Sequence, residues 1–237
     1  MNAPAPSSSP ASARHAVISG TSSGIGRAVA HRLLSDGCRV TGLDRAPATL
    51  AHDQFVGFCV DLADSEQRAA VLDRIGAADA LVHCAGIMRG AELGALDLDI
   101  GTLLWRIHVE AATALADRLV PGMRASGRIV LIGSRASLGA AGKSQYSAAK
   151  SALSGLARSW AKELAARGIT VNVVAPASTE TAMLSDPARA DTPAASLPPI
   201  GRRIQPEEVA ALVAFLLSAD AAAITGQEIR ICGGASL

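Results

Sequence analysis

The sequence predicts an α/β protein built on a doubly wound parallel sheet of about seven strands, with helices on both faces. Three observations predict it. Short apolar runs alternate with longer amphipathic stretches along the chain, the mark of strands alternating with helices. The short runs are near-continuous in apolar residues, as strands covered on both faces must be. A glycine-rich turn joins the first run to the first amphipathic stretch, and right-handed crossovers then wind such a chain onto both sides of one sheet. A length of 237 residues suits one such domain, and 49% hydrophobic with only 3% aromatic residues means a core of Ala, Val, Leu and Ile.

The elements follow in order. The stretch "MNAPAPSSSPASA" lacks a basic start and an apolar run, so residues 1–13 read as a flexible tail and not a secretory signal. The domain is expected over 14–237. "HAVISG" (15–20) reads as the first strand and "GIGRAVAHRLLSDG" (24–37) as the first helix, with Ala28, Val29, Leu33 and Leu34 on one stripe and Gly37 as a stop. "CRVTGLD" (38–44) and "QFVGFCV" (54–60) are the next strands. "SEQRAAVLDRI" (65–75) is helical, capped by Asp64 or Ser65, and "ADALVHCAG" (78–86) is a fourth strand. A long helix over 99–122 precedes the strand "GRIVLIGS" (127–134). A helix over 144–167 stops at Gly168 before "ITVNVVAP" (169–176). "PEEVAALVAFLLS" (206–218) opens with Pro and two acids, as helix starts do, and "GQEIRICGG" (226–234) is the closing strand. The Pro/Ala/Ser-rich stretch 177–205 has no periodicity and follows the sixth strand on the ligand-binding edge, so it reads as a substrate lid.

Charge and cysteines narrow the function. A net charge of +1 gives no global field to gather nucleic acid or an acidic membrane, and no apolar run reaches membrane-spanning length. Four cysteines without a CxxC pair fit no zinc site, so no metal is expected and reduced thiols in a cytoplasmic protein are the plain reading.

"SGTSSGIGRA" places Gly20, Gly24 and Gly26 between the first strand and first helix. Gly20 lets the chain turn sharply. Gly24 and Gly26 keep side chains away from a pyrophosphate. The amides of Ser22, Ser23, Gly24 and Ile25, at the helix start, then face the phosphates. The absence of a following Gly-Lys-Ser/Thr excludes a Walker loop. Asp44 ends the second strand, where a carboxylate accepts from both ribose hydroxyls and repels a 2′-phosphate. That favours NAD, while the adjacent Arg45 leaves NADP possible. Asp61 suits either the adenine amino group or a cap of "LADSEQ".

Tyr146, the only tyrosine, lies four residues before Lys150 in "YSAAK", so the two share one helix face. An ammonium beside a phenol is expected to lower its pKa toward a working range. Tyr146 then exchanges a proton with a substrate oxygen as hydride moves to or from a nicotinamide. Ser134, at the end of the fifth strand, can hold the same oxygen.

With these residues in order, the chain resembles the short-chain dehydrogenase/reductase family over about residues 14–234. The carrying features are the turn 20–26, Asp44, Asp61, "CAG" (84–86), Ser134, "YSAAK" (146–150), "VNVVAP" (171–176) and "TGQ" (225–227). The resemblance implies a single Rossmann-like domain, a nicotinamide cofactor, a small alcohol or ketone substrate, and a homodimer or homotetramer. It implies that Tyr146 is the acid/base, that Ser134 binds the reacting oxygen and that Lys150 holds the nicotinamide ribose. It assigns Leu62, Cys84, Ala85, Gly86 and Pro176 to the cofactor site, with Thr181 and the backbone of Thr179 reaching the carboxamide.

The sequence also departs from the family pattern. His108 stands where the family supplies an active-site Asn, and is read either as a water-holding, titratable substitute or as a plain helix histidine. Cys84 replaces another Asn and reads as packing. Ala177 replaces a Gly, and Cys232 replaces an Asp. The resulting expectation is an NAD-dependent oxidoreductase interconverting a secondary alcohol and a ketone. Two rivals are a 3-oxoacyl-carrier reductase using NADPH, with Arg124, Arg128 and Arg167 facing an acidic carrier, and a nucleotide sensor without turnover.

Overall fold

A computed structural model describes residues 14–189, 192 and 196–237. The tail expected over 1–13 and lid positions 190, 191 and 193–195 lie outside the described residues. Seven parallel strands form one sheet in the order β3-β2-β1-β4-β5-β6-β7. They are β1 (His15–Ser19), β2 (Arg39–Asp44), β3 (Phe55–Cys59), β4 (Ala80–His83), β5 (Arg128–Ile132), β6 (Thr170–Pro176) and β7 (Glu228–Ile231). The order reverses between β1 and β4, and such a switch point opens a crevice at the carboxyl ends of the strands.

The helices are α1 (Gly24–Ser35), α2 (Ser65–Leu72), α3 (Leu98–Trp105), α4 (Ala111–Leu119), α5 (Ser144–Leu164) and α6 (Pro206–Leu217). Two cores cover the two faces of the sheet. On one, Val17, Leu81, Ile129 and Val171 pack with Leu115 of α4 and Leu153 of α5. On the other, Ile18, Val82, Val130 and Val174 pack with Val29 and Leu33 of α1 and Val213 of α6. β1, β4, β5 and β6 are buried throughout. The edge strand β3 is not, with Val56 51% exposed, because only β2 flanks it.

Two local differences from the sequence reading shape the site. The helix expected over 99–122 is interrupted by a π-helical turn at Arg106–Glu110, which turns His108 and Val109 inward. β4 ends at His83, three residues early, because the Ser19 hydroxyl takes the amides of Cys84 and Ala85, each at 3.0 Å. Leu153 and Leu164 of α5 are core residues, while Leu156 and Trp160 are half-buried against that core. The lid carries two short 3₁₀ turns, Ala182–Ser185 and Pro187–Arg189, and is tied back by a bridge between Thr179 and Ile204. No helix among the described residues is long and apolar enough to cross a membrane.

Candidate active site

A cleft of about 630 Å³ opens along the carboxyl ends of the strands. At one end lies the turn between β1 and α1. A Cβ on Gly26 would stand 2.0 Å from the Gly20 carbonyl oxygen, and one on Gly20 would stand 2.9 Å from the Ala85 nitrogen. Gly20 and Gly24 also hold positive φ, +78° and +51°, which side chains resist. Helix α1 starts with no side-chain cap from Ser23 and no acid in its first turn. Its first amides are therefore left to an outside acceptor, and Gly24, Ile25 and Gly26 line the cleft. These features fit the pyrophosphate of a dinucleotide.

Asp44, at the end of β2, is held by the amides of Ser22 (2.9 Å) and Ala46 (3.0 Å). Arg45, Asp61 and Leu62 continue the lining. Asp61 lines the cleft and its carboxylate also accepts from the Ala63 amide at 2.9 Å, while the cap of α2 itself is Asp64, which accepts from Glu66 and Gln67. Ser22 corrects the sequence reading. It does not line the cleft but lies buried behind it, its amide on Asp44 and its hydroxyl on the Ala46 carbonyl at 3.1 Å. It shapes the ribose corner and does not face it.

At the other end, β5 delivers Ser134 and α5 delivers Tyr146 and Lys150 to the same cleft. Tyr146 is 7% exposed and Lys150 4%. Lys150 Nζ donates to the Ile132 carbonyl at 2.7 Å and lies 5.9 Å from the Tyr146 ring centroid. Ser134 Oγ accepts from the Ala136 amide at 3.1 Å, which fixes its rotamer. The electrostatics differ from the simple pairing expected. Burial pushes the Tyr146 phenol up, partly offset by the Ser134 hydroxyl and by the Arg189 guanidinium. Burial also lowers Lys150 to about 7, so this ammonium is itself easily neutralised. Pro176, Thr179 and Thr181 close the cleft from β6 and the lid, with Thr181 against Gly24 and the Thr179 hydroxyl on the Ala177 carbonyl at 3.0 Å.

Cys84, Ala85, Gly86 and His108 form the floor. His108 is 1% exposed and meets Tyr146 edge-on, ring centroids 5.5 Å apart. Its Nε2 faces the Ile87 carbonyl at 2.9 Å, so Nε2 carries the proton, and Nδ1 is buried without a partner among the described residues. Burial and Lys150 hold His108 well below the usual imidazole range. Of the two readings given for His108, its burial argues against the titratable one. A Cβ on Gly86 would stand 2.3 Å from His108 Cε1, so a glycine is what admits the ring. Burial pushes the Cys84 thiol up to about 12, which suits packing and not reactivity.

Comparison with known proteins turns this geometry into a lineage. The family described as Enoyl-(Acyl carrier protein) reductase matches residues 20–236. The chain belongs to the short-chain dehydrogenase/reductase family. It is 36% identical over 235 residues to a 3-oxoacyl-(acyl-carrier-protein) reductase of Vibrio harveyi, covering 92% of this chain and 96% of that one. A short-chain dehydrogenase family protein of Francisella tularensis superposes with a TM-score of 0.86 at 25% identity, covering 94% and 98% of the two chains. BdcA, solved in complex with NADPH, superposes with a TM-score of 0.79 at 33% identity, covering 93% of each chain.

Within this short-chain dehydrogenase/reductase, the cleft also holds residues that the motifs did not single out. Arg135, Lys143 and Arg189 line its substrate end. The first two adjoin named motifs, one residue after Ser134 and three before Tyr146, and that adjacency was the available signal. Beneath the floor, His83 is fully buried between the Ser19 hydroxyl (2.9 Å) and the Ile107 carbonyl (3.1 Å), a pair that no linear spacing announces.

Proposed function

We propose that this oxidoreductase transfers hydride between NAD and a secondary alcohol or ketone. The observation that carries the reading is the meeting of Ser134, Tyr146 and Lys150 in the cleft that the glycine turn opens. With its pyrophosphate at the turn, a bound dinucleotide would supply or take up hydride through its nicotinamide. The chain's own residues manage the oxygen. In reduction, Tyr146 gives its proton to the carbonyl oxygen while Ser134 donates a second hydrogen bond to it. In oxidation the phenol must first lose its proton, which burial resists, so oxidation gains with rising pH. Lys150, anchored on Ile132, is placed to hold the cofactor's ribose. NAD is preferred because the Asp44 carboxylate occupies the ribose corner.

Reduction of a 3-oxoacyl thioester with NADPH is the second reading, favoured by the likeness to the Vibrio harveyi reductase. Asp44 argues against it. So do two of the arginines considered for a carrier: Arg128 is 3% exposed and donates to the Ser126, Gly127, Gly168 and Ser218 carbonyls, and Arg167 donates to those of Val120 and Met123. Under either reading the assembly is two or four copies, which sedimentation tests.

The experiment follows reduced-nicotinamide absorbance over a panel of alcohols, ketones and 3-oxoacyl thioesters. Turnover is expected, with Tyr146→Phe slower by about 10²–10⁴-fold and nucleotide binding intact. Nucleotide binding with no turnover of any compound would favour a sensor instead.

A further inference from the structure

The substrate end of the cleft is cationic. Arg135, Lys143 and Arg189 all line it, together with Ser134 and Tyr146. Among the described residues, none of the three has a carboxylate within ion-pair distance. The one acid in this part of the lining, Asp186, is already engaged. Arg89 holds it at 2.8 Å, and the Ala188 amide donates to it at 3.0 Å.

The two guanidiniums are braced by backbone and not by acids. Arg135 donates to the Ala235 carbonyl at 3.3 Å and Arg189 to the Met183 carbonyl at 2.8 Å. Each bond uses one corner of a five-donor fork. Among the described residues, Arg189 Nε is buried with no partner. Lys143 sits at the start of α5, half-buried, and forms no bond through its ammonium to any described residue. Its pKa is lowered by burial and by the charges of Arg189 and Arg135, so the three cations crowd one another. Like charges gathered beside a reacting centre raise each other's cost unless an anion joins them. The adenosine end needs no such group, since Asp44 and Asp61 make it acidic.

We propose that Lys143, Arg135 and Arg189 bind an anionic oxygen group, carboxylate or phosphate, carried a few bonds from the reacting carbon. The substrate is then a short hydroxy acid or oxo acid, or its phosphate-bearing counterpart, and not a neutral alcohol. The inference rests on the hydride-transfer reading for its reaction but not for its binding site. The placement of the cations limits the spacer. Arg135 follows the residue that holds the oxygen, and Lys143 precedes the acid/base by less than one helical turn. A long neutral acyl chain gains nothing from this end, whereas a compact anion meets forked and ammonium donors together.

The test compares matched pairs: acetoacetate with methyl acetoacetate, and dihydroxyacetone phosphate with dihydroxyacetone. One anion is expected to exceed its neutral partner by about tenfold or more in kcat/KM, the scale of a charge-assisted contact. The pair that shows it names the group. Lys143→Ala and Arg189→Ala should bring the charged-to-neutral ratio toward one through KM, while Lys143→Arg keeps it. Equal rates within both pairs, or a ratio untouched by the alanine variants, overturns the proposal. If no compound turns over, the hydride-transfer reading has failed, and calorimetric titration of the protein with acetoacetate and dihydroxyacetone phosphate decides the site. Saturable binding weakened by Lys143→Ala sustains it. No binding of either anion, or binding indifferent to the substitution, overturns it.

Discussion

The two ends of the cleft are built from different materials. The nucleotide end is backbone: glycines at positive φ, uncapped amides of α1, and one carboxylate fixed by two more amides. The substrate end is side chain: a buried phenol, a hydroxyl and three cations on α5, the loop after β5 and the lid. Backbone tolerates almost no added volume, whereas side chains tolerate exchange at the cost of selectivity. One end therefore fixes what every substrate shares, and the other decides which substrate it is.

The harshest way to break this comparison is Gly26→Ala. The new methyl would press on the Gly20 carbonyl, which is backbone and has no rotamer to yield. We expect a loss of about 3 kcal/mol in urea unfolding, the upper range of overpacking, and nucleotide affinity down about a hundredfold by calorimetry. A variant within about 0.5 kcal/mol of the parent, binding as tightly, would show that the turn is not the rigid element argued here.

A gentler change separates the carboxylate from the backbone around it. Asp44→Ser removes the charge and leaves an oxygen near the Ser22 and Ala46 amides. The ratio of kcat/KM for NADP over NAD should rise at least about tenfold, since like charges brought together cost several kcal/mol. An unchanged ratio would move the cofactor choice to Arg45 or elsewhere and weaken the case against NADPH.

How far each end was legible follows from the same contrast. Backbone features leave compositional marks. Gly20, Gly24, Gly26 and the strand–helix alternation announced the doubly wound sheet and the turn after its first strand, because glycine and hydrophobic period report local geometry directly. Ser134, Tyr146 and Lys150 were legible through a short motif, and all three reach the cleft. The behaviour of Lys150 was not legible. Its burial and its bond to Ile132 depend on how deep α5 lies against β5, a tertiary fact. Nor was the π-turn that carries His108, since no Gly or Pro marks it and the pocket left by Gly86 receives the ring. The convergence of Lys143 and Arg189 joins a helix start to a lid without periodicity, so no window of sequence contains it.

The smallest effect probes the seam between the ends, where β1 and β4 meet at the switch point. His83 is wholly buried there. Ser19 Oγ accepts from two amides and so donates to His83 Nδ1, which leaves Nε2 as the protonated nitrogen facing the Ile107 carbonyl. No acceptor is left to welcome a second proton, and Lys150 opposes it. Burial first and that ammonium second lower His83 from 6.5 to about 3. The sign follows from linkage: the unfolded chain binds a proton below 6.5 that the native chain refuses, so stability is full above 6.5 and drains as pH falls toward 3. His83 should account for about 1 kcal/mol of the stability lost between pH 6.5 and about 5.5. His83→Gln cannot titrate, so its urea-unfolding free energy should fall less over that interval, whatever its starting stability. Carboxylate titrations are common to both proteins and cancel in the difference. Parallel pH profiles would mean that His83 takes up its proton in the native state, and the seam would then be a titrating element and not a neutral brace between a backbone end and a side-chain end.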